Sequence, residues 1–184
     1  MGYHHGDLRN ALLEAAERAL DEKGEVPSLR ALAEACGVSH GAPYRHFSDV
    51  DDLRGWVAAK GFEGLAAAVT AATDGVEPPA TKLGAGCAAY VAWGLAHPAR
   101  YALMFGGSSP VPGHDGCRAA SGEAFAQLVE GCAACGAPDP ERAANAAWAA
   151  IHGVVDLGRQ AIAGEEVGAD VVEMLVRWVT ALGR

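Results

Sequence analysis

The 184-residue chain is short of basic side chains, of aromatic residues and of long apolar runs. Lysine and arginine number 14 against 23 acidic residues, a formal charge of −9. That balance excludes a protein that coats nucleic acid non-specifically, which would need a basic surface. No apolar run approaches the roughly 20 residues of a membrane-spanning helix. No secretion signal opens the chain, so a cytoplasmic protein without a membrane partner is expected. The five cysteines are an odd number and argue against a disulfide framework. Cys132-Ala-Ala-Cys135 lacks the second pair or the spaced histidines that zinc requires, so no metal is expected. There is no phosphate loop and no Ser or Cys nucleophile arrangement, so neither an enzyme nor a cofactor is expected. Runs of β-branched residues are scarce, whereas alanine is abundant and half the chain is apolar. An all-α fold with a sizeable core follows.

The most informative stretch is Ser28 to Leu53, SLRALAEACGVSHGAPYRHFSDVDDL. Ser28 suits an N-cap, and Leu29, Leu32, Ala33 and Cys36 share one helical face. Gly37 ends that helix, Val38 plugs the corner, and Ser39 can cap a second helix. Two short helices across a glycine turn form a helix-turn-helix, the second helix being the one that enters the major groove. An ordinary helical hairpin would give the same signal. The second segment, Ser39, His40, Gly41, Ala42, Pro43, Tyr44, Arg45 and His46, contains no acid although acids flank it. Small residues at 41 and 42 allow close approach to bases, Arg45 can bond guanine, and Tyr44 and His46 can donate to phosphate. Pro43 removes one amide donor and is tolerable only in the first helical turn.

GVSHGAPYRHF, after SLRALAEAC and before a helix start, resembles the DNA-binding domain of the tetracycline-repressor (TetR) family. The opening YHHGDLRNALLEAA is similar to the first helix of one branch of that family. The resemblance covers about the first third of the chain. It implies an N-terminal three-helix DNA-binding domain, with Ser28 and Arg30 joining Ser39 to His46 in the DNA-facing set. One position departs from the family pattern: Val50 stands where a lysine often begins the fourth helix, so a phosphate contact is missing or is made by the Val50 amide.

Further helices are expected over about Asp7–Lys23, with Leu8, Leu12, Ala15, Ala16 and Ala19 as its apolar stripe, and over Asp49–Ala72. The short arm Tyr3 to Gly6 precedes them. After a break at Asp74 to Pro79 come Ala80–Ala96, the short PARYALMF helix, a glycine- and proline-rich loop from Gly106 to Gly116, then Arg118–Ala134, Pro140–Ala163 and Ala169–Leu182. With the two hairpin helices this makes about nine. The expected domains are 1–55 for DNA binding, 56–79 as connecting helix and linker, and 80–184 as a bundle for ligand binding and dimerisation. The last two helices are apolar over more than one face; they either form a four-helix interface with a second copy or fill the monomer core.

HPARYALMF and Trp148-Ala-Ala-Ile-His152-Gly153 resemble a TetR C-terminal domain type marked by Trp, His and Gly. That resemblance implies a dimerising bundle around a small-molecule site. Candidate ligand residues are Tyr90, Trp93, Met104, Phe105, Phe125, Trp148, His152 and Asp156. His152 and Asp156 share a helix face. They could be metal ligands, a base with its orienting acid, a polar handle for a ligand, or a structural pair; His97 and His114 are further histidine candidates. The function expected is a homodimeric regulator, a repressor released from a palindromic double-stranded DNA operator by a small-molecule effector. The alternatives are a sensor with weak or lost DNA binding and a small helical enzyme using His152 and Asp156. The first 60 residues favour the sensor, since seven basic side chains there face ten acidic ones.

Overall fold

The computed structural model describes residues 8–160 and 165–183; the arm Tyr3 to Gly6, Asp7 and the helix end expected at Ala163 lie outside the described residues. Eight α-helices occur among the described residues: α1 (Leu8–Lys23), α2 (Leu29–Ala35), α3 (Val50–Thr73), α4 (Pro79–Ala96), α5 (Pro98–Phe105), α6 (Asp115–Ala134), α7 (Pro140–Arg159) and α8 (Glu165–Leu182). They divide into two compact units. The first holds the residues up to Phe62 together with Ala99–Ala120, and the second holds Glu63–Pro98 with the residues from Ser121 on. These units are discontinuous in sequence, whereas the reading from sequence divides the chain at 55 and 79.

The ninth helix expected, from Ser39 to His46, is a single 3₁₀ turn, Pro43–Arg45. Pro43 is the reason. In an α-helix the Ser39 carbonyl would accept from residue 43, which has no N–H. It accepts instead from the Ala42 amide at 2.9 Å, and the Pro43 carbonyl then receives both His46 and Phe47. The helix before it behaves as its sequence dictates. Ser28 caps it by accepting from the Ala31 amide at 3.2 Å. Gly37 ends it at φ +65°, with Gly37 N–H on Glu34 and Val38 N–H on the Ala33 carbonyl, the two bonds of a glycine C-terminal motif.

The core of the first unit is built from Leu12, Leu13, Ala16 and Leu20 of α1, Leu29 and Leu32 of α2, and Phe47, Leu53 and Val57, all buried. The α1 stripe thus runs through Leu13 and Leu20, while Leu8, Ala15 and Ala19 are half-buried. α5 belongs to the same unit. Its Tyr101 and Met104 are fully buried, and Phe105 meets Phe62 edge-on at 5.2 Å. Arg100 fixes α5 to α1 through paired bonds to Asp21 at 2.8 and 2.7 Å and a third to Glu17 at 2.8 Å. Met104 and Phe105, expected among the ligand residues, lie in the first unit, Met104 fully buried and Phe105 half-buried against Phe62 and Tyr101.

In the second unit α4, α7 and α8 pack on one another. Leu83, Cys87 and Tyr90 of α4, Ala143, Ala147, Ile151 and Val155 of α7, and Val179 of α8 supply the buried faces. Gly131 of α6 lets α4 approach, since a Cβ there would stand 3.1 Å from Leu83 Cδ1. Asp139 caps α7 on the Arg142 amide at 3.1 Å, with Pro140 in the first turn where its missing N–H costs nothing. α3 and α6 each contribute residues to both units without a break.

Candidate nucleic-acid interface

The reading segment forms an exposed surface on the first unit. Ser39, His40, Gly41 and Arg45 are exposed, and Tyr44 is 58% exposed, the most accessible large apolar side chain near the turn. Two residues anchor the segment: Pro43 and Phe47 are buried and point the turn outward from the core. Pro43, part of the expected DNA-facing set, thus serves as the root of the turn. Ala42 and His46 are half-buried. In α2, the Ser28 hydroxyl is engaged as the cap, and Arg30 is exposed beside Glu34 at 3.5 Å. An ion pair this exposed contributes little stability, so Arg30 can exchange Glu34 for phosphate at small cost. Val50 is the first residue of α3 and is exposed.

Behind the turn, α3 starts on an acidic cap. Asp49 accepts the Asp52 amide at 2.8 Å and Asp52 reaches back to the Ser48 amide at 2.8 Å. Asp52 also takes the His114 ring at 3.2 Å. Burial alone would raise the Asp52 carboxyl, but the Ser48 amide, the His114 ring and the Trp56 indole together hold it below the ordinary aspartate value. Arg9 of α1 lies over the Trp56 ring at 4.2 Å and over Phe47 at 5.5 Å, a cation–π arrangement that ties the start of α1 to the root of the turn. Arg9 and Asp52 escape a reading of the sequence, because each becomes informative only beside partners from distant segments.

The second unit brings together Tyr90, Trp148 and His152. The Trp148 indole donates to the Tyr90 hydroxyl at 3.2 Å, that hydroxyl stands 3.5 Å from His152 Nδ1, and the two rings of α7 lie 5.2 Å apart. Burial lowers the His152 ring below its ordinary value, Asp156 opposing and Arg159 reinforcing the effect. Asp156 itself accepts from Gln160 at 3.1 Å and lies 3.9 Å from Arg159. Trp93 stacks at a tilt on His97 at 4.8 Å, and Phe125 on α6 is half-buried. Burial pushes the Cys87 thiol up to about 12 and those of Cys117 and Cys132 to about 11, which suits packing groups and not nucleophiles. Among the described residues no group of three His, Cys, Asp or Glu side chains could hold a metal ion. No described helix is long and apolar enough to cross a membrane.

Comparison with known proteins bears on both units. Residues 12–55 match the family described as bacterial regulatory proteins, tetR family, and residues 83–182 match the tetracyclin repressor-like C-terminal domain. A solved protein of unknown function from Rhodococcus sp. RHA1 is 32% identical over 100% of both chains, with a TM-score of 0.83. The TetR-family regulator PfmR from Thermus thermophilus shares the fold at 20% identity, covering 92% of this chain and 97% of its own, with a TM-score of 0.63. A TetR-family regulator from Streptomyces coelicolor does so at 22% identity, covering 95% and 97%, with a TM-score of 0.67. No curated protein matches the sequence.

Proposed function

Since this chain belongs to the TetR family of DNA-binding transcriptional regulators, we propose that it is a repressor, released from a palindromic operator by a small molecule. The observation that carries the reading is the surface turn from Ser39 to Arg45, exposed at Tyr44 and Arg45 and rooted by buried Pro43 and Phe47. Arg45 reads a guanine edge, Tyr44 and His46 donate to phosphates, and the small residues at 41 and 42 admit the base edges. Because the turn is short and the first 60 residues are net acidic, affinity rests on few phosphate contacts and its salt dependence is shallow.

Two copies join through α7 and α8. Leu157, Val167, Met174, Trp178 and Leu182 are large apolar side chains exposed on these helices, and the last four follow helical spacing along α8. The two-fold axis then requires half-sites about one helical turn apart, roughly 34 Å. The effector is mostly apolar or aromatic with one polar handle, and the Tyr90–Trp148–His152 network in the second unit supplies the complementary polar groups. Release requires several kcal/mol of differential affinity between the two states. The protein is a cytoplasmic regulator and not an enzyme.

The test is to select duplexes from a random pool with the purified protein, then titrate the enriched sequence at two salt concentrations. Arg45→Ala should change base preference, whereas Tyr44→Phe should weaken all duplexes alike. Equal losses at every sequence for Arg45→Ala would remove its base-reading role. No enrichment at all would leave a ligand sensor without DNA binding, the reading that the acidic first unit favours.

A further inference from the structure

We propose that His114, in the loop ahead of α6 and 62 residues from its partner in sequence, is a positioning residue for DNA binding. The proposal rests on the DNA-binding function of the first unit. His114 is occupied at both ring nitrogens. Nδ1 accepts the Cys117 amide at 3.0 Å, and a backbone N–H can only donate, so Nδ1 carries no proton. The ring proton therefore sits on Nε2 and is donated to Asp52 Oδ1 at 3.2 Å. The other oxygen of Asp52 receives the Ser48 amide at 2.8 Å, and Ser48 directly follows Phe47, the buried root of the reading turn. One imidazole thus caps α6 and, through one carboxylate, grips the backbone where the turn meets α3.

The ring is also fixed in place sideways. It lies over the backbone of Gly55, where an added Cβ would stand 2.3 Å from ring carbons, and Trp56 meets it edge-on at 5.1 Å. Trp56 carries Arg9, which spans to Phe47. Both connections from His114, the carboxylate and the aromatic stack, therefore end on residues 47 and 48. A loop remote in sequence sets the orientation of the reading turn, and α6, which begins at this loop, runs on into the second unit.

Two substitutions separate positioning from mere support. His114→Asn keeps an oxygen near the place of Nδ1, so the α6 cap survives, but has nothing at the place of Nε2. His114→Gln extends an amide donor toward Asp52 and gives up the cap. Wild type and both variants, as full-length protein, are titrated against a duplex that the wild type has enriched from a random pool, beside thermal unfolding of each. The expected result for His114→Asn is about tenfold weaker binding, with a melting temperature lower by a few degrees because the bond to Asp52 is lost. His114→Gln should bind close to wild type despite a lower melting temperature. Equal binding by wild type and His114→Asn, or binding that follows melting temperature across the three proteins, overturns the proposal. If the wild type enriches no duplex, the DNA-binding reading falls and this one with it.

Discussion

Gly55→Ala provides a sensitive test of the packing around His114. Gly55 lies inside α3, where alanine ordinarily adds about 0.8–1 kcal/mol of helix stability. Here its Cβ would stand 2.3 Å from Cγ and Cδ2 of His114 and 2.8 Å from Nδ1. The ring must retreat by about 1 Å to regain ordinary contact, and it is held by two hydrogen bonds and the Trp56 edge. If the ring leaves, a neutral bond and a carboxylate bond are lost, together about 3 kcal/mol; if the backbone shifts instead, overpacking costs about 1–3 kcal/mol. Less the helical gain, the net loss is about 2 kcal/mol, or roughly 4–8 °C in melting temperature for a chain of this length. In a His114→Ala background the obstruction is gone, and Gly55→Ala should stabilise by up to about 1 kcal/mol. The effect changes sign, giving a coupling of about 3 kcal/mol in the double-mutant cycle. Thermal unfolding of the four proteins by circular dichroism, at one protein concentration, measures it. The same sign in both backgrounds would refute the argument.

Three further outcomes are expected. Cys87, Cys117 and Cys132, their thiols pushed up by burial, should resist alkylation in the native protein near pH 8 and react on unfolding, as mass spectrometry of the labelled chain would reveal; labelling of Cys87 in the folded protein would contradict this. The His152 ring, lowered by burial, contributes stability that is fully present above its ordinary value of 6.5 and is lost as pH falls through its folded value. Melting temperature should therefore decline below about pH 6.5, and His152→Gln should flatten that slope; parallel curves would remove His152 as the cause. Met174, 63% exposed, can accept a charge without disturbing the single chain, so Met174→Glu should yield folded monomers by sedimentation. A variant still dimeric would move the interface elsewhere.

Much of the helical plan is legible locally. Ser28, Gly37, Pro98 and Pro140 announce their helix ends because caps and backbone restrictions act within a few residues. The reading segment is a local matter too, with Pro43 deciding against an α-helix, but the extent of the shortening depends on Ser39 finding the Ala42 amide as its partner. α6 starts at Asp115, three residues before the expected Arg118, because His114 caps it with a side chain rarely used for that purpose. Of the candidate ligand residues, Tyr90, Trp148 and His152 come together, whereas helical spacing had paired His152 with Asp156.

The order of residues alone specifies the all-α class, those helix ends that a local cap, glycine or proline marks, and the family to which the reading segment and C-terminal motif point. Those features depend on interactions between near neighbours, which the order of residues specifies directly. Long-range packing places α5 in the first unit, with Met104 buried in its core and Phe105 half-buried against Phe62 and Tyr101, and brings Arg100 to Asp21 across 79 residues. It likewise decided that His114 meets Asp52. Apolar burial is non-directional and satisfied by any matching face. Which face an amphipathic helix finds, and hence which polar groups meet at its edges, is fixed only when all the faces compete for one another.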